Sequence, residues 1–186
     1  MSTETIATTR GAFLQRLIGA AMLRPATYEE VEADRGATVQ AVVVVLLSSV
    51  AAGIGARGFG ASRPVDVAFF AAIALIGWVT WAALTYQIGA RILPSSETRA
   101  DVGQLLRTIG FASAPGMLRI VGVAPALTTA AFALTSVWML VAMVVAVRQA
   151  LDYTSTSRAV AVCVLGWTLA VVFAVVLGVM FGPRVS

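Results

Sequence analysis

From Ala37 onward the sequence is a succession of apolar blocks, each about 20 residues long and separated from the next by a short polar stretch. A block of that length crosses about 30 Å of hydrocarbon as a helix, and in lipid a backbone has to satisfy its own hydrogen bonds. The apolar residues run continuously and do not alternate at period two, which excludes a barrel and leaves a helical bundle. Composition agrees: 59% of the 186 residues are hydrophobic and 12% charged, where soluble chains run near half and a quarter. The expectation is an all-α polytopic membrane bundle with five transmembrane helices, spanning about 37–56, 65–93, 103–123, 125–147 and 158–181. A cytoplasmic segment, residues 1–36, precedes them and carries an amphipathic helix.

Within that segment Phe13, Leu14, Leu17, Ile18 and Ala21 fall on one helical face, with Gln15, Arg16 and Gly19 elsewhere. Such a helix either lies in the headgroup plane or packs on the end of the bundle. Pro25 separates it from a second helix, for which Thr27 and Glu30 have the spacing of a capping box. Glu29, Glu30, Glu32 and Asp34 load the first turns of this helix with negative charge, which its dipole favours. These acids spread around the helix, and no His completes a metal ligand set.

The net charge of +4 does not point to nucleic acid. Every basic residue is Arg, and most lie at block ends, where they orient the chain and meet anionic headgroups. Arg10, Arg16, Arg24, Arg35, Arg91, Arg99, Arg107, Arg148 and Arg158 would share one side, and Arg57, Arg63, Arg119 and Arg184 the other. This bias predicts a cytoplasmic N-terminus and an outside C-terminus in a bacterial inner membrane. Cys163, the single cysteine, lies in an apolar block and reads as a buried hydrophobe. Asp66, beside Arg63, reads as a dipole partner at the start of the second span, and Gly178 and Gly182 as a packing pair.

The third block is the exceptional one. It is apolar enough to enter a bilayer, yet it carries Arg107, Thr108, Ser113, Pro115 and Arg119. Each Arg is about one turn from an end and is expected to reach the nearer interface. Pro115 removes an amide and should bend the helix, while Gly110, Ala112, Ser113, Ala114 and Gly116 permit close approach by a neighbour. The segment Arg107, Gly110, Phe111, Ser113, Pro115 and Arg119 is therefore the candidate functional or packing site. It reads either as a kinked helix in mid-bundle or as a discontinuous helix lining a path.

Leu23-Arg24-Pro25, the run Gly110-Phe111-Ala112-Ser113-Ala114-Pro115, and the loop AVRQALDYTSTSRAVAV together resemble the bacterial branch of the Yip-domain family of membrane proteins. The resemblance implies five helices and a cytoplasmic N-terminus. It is densest from Gly103 to Leu177. Eukaryotic members bind Rab-type GTPases and act in vesicle traffic, and this sequence lacks their Asp-Leu-Tyr-Gly-Pro motif.

An enzyme is the least supported class, since the sequence offers no His, no embedded carboxylate pair and no paired Cys. No cofactor or metal is expected. The first expectation is a scaffold or accessory subunit that gathers other membrane proteins or copies of itself. The alternative is an oligomeric channel or transporter for an anion or small neutral solute, with its path along the third span. Gln87 or Trp78 would face that path.

Overall fold

The computed structural model describes the backbone of residues 3–57 and 64–181, and the side chains of residues 11–56, 65, 68, 69 and 71–172. The described residues form seven α-helices in order: α1 (Thr3–Ala21), α2 (Pro25–Ala33), α3 (Ala37–Arg57), α4 (Pro64–Tyr86), α5 (Val102–Ala112), α6 (Thr128–Ala150) and α7 (Thr156–Phe181). A π-helical turn, Gln87–Ile92, extends α4, and a 3-10 segment, Ala114–Val123, follows α5. The expected first loop around Gly58, Gly60 and Arg63, the role of Asp66, and the pair Gly178 and Gly182 lie outside the described residues.

Among the described residues three helical stretches are long and apolar enough to cross a membrane: Ala37–Ala56, Ala71–Ile92 and Thr128–Ala150. Thr156–Val172 is a shorter apolar stretch. The third expected span is not one continuous helix, for a reason that lies in its sequence. Pro115 has no amide to bond to Phe111, so the α-helix stops at Ala112. The chain continues with bonds to the third residue back, from Ser113 N to Gly110 O (3.2 Å) and from Gly116 N to Ser113 O (2.9 Å). A 3-10 run of ten residues is far longer than the usual three or four.

Glycines set how this broken helix packs. A Cβ on Gly110 would meet Ala41, one on Gly116 would meet Ser48, and one on Gly55 would meet the carbonyl of Arg119. The pairs advance together, so α3 runs beside α5 and the 3-10 segment in the same direction. Asp101 caps the start of α5 in a complete capping box with Gln104: Oδ1 accepts from Gln104 N at 2.8 Å, and Gln104 Oε1 accepts from Asp101 N at 2.6 Å.

The capping box expected at Thr27 and Glu30 does not form. Helix α2 begins three residues earlier, with Arg24 at the N-cap position, Pro25 in the first turn and no side-chain cap. The Thr27 hydroxyl instead lies against Gly19 of α1, and Glu30 accepts from Arg16. Helix α6 likewise starts at Thr128, three residues later than expected, because a turn from Leu127 N to Ala124 O (2.8 Å) extends the link.

Helices α1 and α2 form a hairpin set into the bundle. Tyr28 and Val31 of α2 and Ala20 of α1 are fully buried with Val44, Phe111, Ala142 and Ala146. The Tyr28 hydroxyl donates to Ala20 O (3.0 Å), and Trp138 Nε1, at the middle of α6, donates to Ala21 O (2.8 Å). Between the helices Arg24 N bonds Gly19 O and Leu23 N bonds Ala20 O, a Schellman closure with Leu23 at φ 60°. The face expected on α1 therefore divides. Phe13, Leu17 and Ala21 pack inward, while Leu14, Ile18 and Met22 stay 55%, 51% and 60% exposed as an outward apolar stripe. Arg16, expected to look away from the contact face, pairs with Glu30 and Asp34 of α2 at 2.8 Å each.

Candidate functional site

Two polar centres interrupt the apolar bundle, and each is built on one of the two arginines of the third block. The first is at the end where α2 meets the start of α5 and the end of α6. Arg107, only 6% exposed, sends Nε to the carbonyls of Val31 and Glu32 (both 3.0 Å) and Nη2 to Glu32 O. Those carbonyls belong to the last turn of α2, where the helix has no amides of its own left to satisfy them and its dipole is negative. Arg107 thus caps α2 and does not reach out to an interface, because the carbonyls of α2 offer it a nearer and better-fixed partner.

Besides Glu30, which pairs with Arg16, the other acids of this segment are also engaged. Glu29 accepts from Gln149 (2.7 Å), Glu32 from Gln104 (3.0 Å), and Asp34 takes the Gly36 amide as well as Arg16. Arg16 and that amide hold the Asp34 carboxyl below its usual range. Burial pushes the Glu32 carboxyl up to about 7, helped by Asp152, Glu29 and Asp101 and opposed by Arg107. A polar hollow of about 280 Å³ opens here, lined by Glu29, Glu32, Glu97, Arg148 and Asp152 among others. Opposite it the Tyr153 hydroxyl lies 2.8 Å from Gly89 O and 2.7 Å from Leu93 O, tying the loop after α6 to the π-helical turn.

The second centre is Arg119. It too turns inward: Nε donates to Thr135 Oγ1 (3.2 Å), Nη2 to Ser136 Oγ (2.9 Å), and the guanidinium lies 5.3 Å from the centre of the Phe132 ring. The hydroxyls of α6 supply the partners that an interface was expected to provide. Between α3, α4, α5 and α6 Arg119 lines a cavity of about 370 Å³ with Ser48, Ser49, Ser113, Trp78 and Trp81. A neighbouring cavity of about 350 Å³ shares Arg119, Trp81, Met139 and Met143 and adds Ser136, Leu140, Trp167 and Ala170. A third, of about 680 Å³, continues past Trp81 along Thr80, Leu84 and Leu169.

The six residues singled out from the sequence fall on both centres and on the wall between them. Phe111 is fully buried in an edge contact with Phe13, at 6.4 Å between ring centres. Gly110 and Pro115 are packing positions, and Ser113 Oγ turns back to Gly110 O (2.6 Å). Thr108 bonds back to Gln104 O (3.0 Å). Gln87 is exposed and does not face the third block. Trp78 does face it, with Nε1 donating to Leu106 O (3.0 Å).

Trp81, one helical turn beyond Trp78, is the more informative of the two tryptophans. Its ring meets Trp167 edge-on at 6.1 Å, and its Nε1 is buried with no hydrogen-bond partner, alone in this among buried side-chain polar atoms of the described residues. Its i, i+3 spacing to Trp78 gave no hint of that difference. The contribution of α2 also escaped the sequence, since Arg107 is held by main-chain carbonyls and not by a residue type.

A family model described as the Yip1 domain matches residues 20–177. Comparison with curated proteins and with solved structures returns no match.

Proposed function

This chain is a member of the Yip1-domain family of membrane proteins, and on that footing we propose that it is a non-enzymatic scaffold or accessory subunit that gathers partner membrane proteins in a bacterial inner membrane. Five crossings with the N-terminus in the cytoplasm are part of this reading. Support comes from the alternation of α3, α4, the α5 and 3-10 pair, α6 and α7, and from the bias of Arg toward one set of loops.

The observation that carries the proposal is the fixed outward stripe of α1. Arg16 and Trp138 clamp α1 to α2, α3 and α6, Arg107 anchors α2 to α5, and Leu14, Ile18 and Met22 are left facing outward at a defined position. A partner helix docking on such a stripe loses little freedom on the scaffold's side, which favours association.

A photo-crosslinking amino acid at Ile18 tests this in intact cells, with one at Val164, equally exposed on α7, as the lipid-facing control. A discrete adduct with another membrane protein at Ile18 and none at Val164 is expected. Adducts confined to lipid or to a second copy of the chain would count against a scaffold for other proteins.

A further inference from the structure

Arg119 and Trp81 present unused donors to shared cavities. The guanidinium spends Nε on Thr135 and Nη2 on Ser136, which leaves the Nη1 hydrogens without a protein acceptor, and no carboxylate among the described residues pairs with it. The indole N–H of Trp81 is buried and unpaired. Both residues line the same two cavities, which places both side chains beside one guest. A fixed cation, an orphan donor and the nearby hydroxyls of Ser48 and Ser49 select an anion.

The rest of the lining is apolar. Met139, Met143, Leu140 and Ala170 wall the second cavity, and the largest continues past Trp81 between α4 and α7. The guest therefore carries a small anionic head and a hydrocarbon tail. Its head is identified by depth. Thr135 and Ser136, which hold Arg119, are about 11 Å along α6 from its start at Thr128. A phosphodiester is ionised at every relevant pH and would carry its charge that far into hydrocarbon. A carboxylic acid can cross hydrocarbon as the neutral form and is held as the carboxylate beside Arg119 once its proton has passed to water at the interface.

We propose that the cavity bounded by Arg119 and Trp81 is a binding site for a single-chain carboxylic acid amphiphile, a free fatty acid in chemical class. The carboxylate accepts from Arg119 and from the Trp81 N–H, and the alkyl chain runs past Trp81 toward Leu169. The site goes beyond the scaffold reading and stands whether or not a partner protein is found.

The test uses the full chain in phosphatidylcholine nanodiscs, with quenching of tryptophan fluorescence by 9,10-dibromostearic acid as the readout. Saturable quenching is expected, with stearic acid competing at least about tenfold better than stearyl alcohol and phosphatidylglycerol not competing. Arg119→Gln should weaken binding about tenfold or more, and Trp81→Phe, read through the remaining tryptophans, several-fold. Equal competition by the alcohol would overturn the assignment, as would displacement by phosphatidylglycerol. So would wild-type binding in both variants. If Arg119→Gln does not fold, Trp81→Phe decides alone.

Discussion

The guanidinium of Arg107 donates to the main-chain carbonyl of Glu32, 75 residues earlier in the chain, and by this bond the third apolar block fastens the N-terminal hairpin to the bundle. Removing one side of a buried, charge-assisted bond leaves the other unsatisfied. Arg107→Ala should therefore destabilise the protein by on the order of 3 kcal/mol, read as a drop in melting temperature in detergent. Proteolysis should also increase first in the link at residues 34–36. A variant that melts like the wild type would show that α2 is held by its apolar contacts alone.

Glu32 gives the protein a pH dependence of unusual sign. Its carboxyl is held at about 7 in the folded chain, against an ordinary 4.5. Between those values the folded state keeps a proton that the unfolded chain has released, so stability from this group is full below about pH 4.5 and is lost as the pH rises through 7. Thermal unfolding at pH 5 and pH 8 should show the wild type falling across this interval, and Glu32→Gln should flatten the fall. Parallel slopes for the two proteins would refute the assignment.

Two glycines of α3 should respond oppositely to the same change. A Cβ on Gly55 would meet the backbone of Arg119, which cannot rotate away, whereas one on Gly53 meets nothing. Gly55→Ala should cost about 2 kcal/mol or more through overpacking, while Gly53→Ala should be neutral or gain up to about 1 kcal/mol from helix propensity. Chemical unfolding of both variants in one detergent makes the comparison.

Trp138→Phe keeps an aromatic side chain, though a smaller one, but deletes the donor to Ala21 O. The loss should be about 1 kcal/mol, concentrated in the hairpin turn. Hydrogen exchange should quicken at residues 18–24 and stay unchanged at Val44 to Ser48, within α3. Uniform exchange across both segments would indicate that the bond only adds global stability.

The helical class and the approximate bounds of the apolar blocks were legible in the sequence because apolar run length and the missing amide of Pro115 act locally. What stayed hidden was tertiary. Thr27 has the spacing of a cap, but Pro25 starts the helix sooner and Gly19 draws the hydroxyl of Thr27 into the hairpin contact. Arg107 and Arg119 have the flanking position of interface residues. Each found instead a fixed set of oxygens inside the fold, carbonyls in one case and hydroxyls in the other, and no spacing rule could announce these. Leu23 and Asp152 both sit at left-handed helix ends usually given to glycine, so those two turns carry no sequence signature either.

The 3-10 segment also sets a length. Ten residues at about 2.0 Å each reach about 20 Å, whereas the same residues wound as an α-helix would reach about 15 Å. The strand of chain from Ser113 to Val123 is thus a drawn-out spring, held extended by its glycine contacts with α3. Rewinding it would shorten this segment by about 5 Å, a stroke on the scale by which bilayers of different thickness differ.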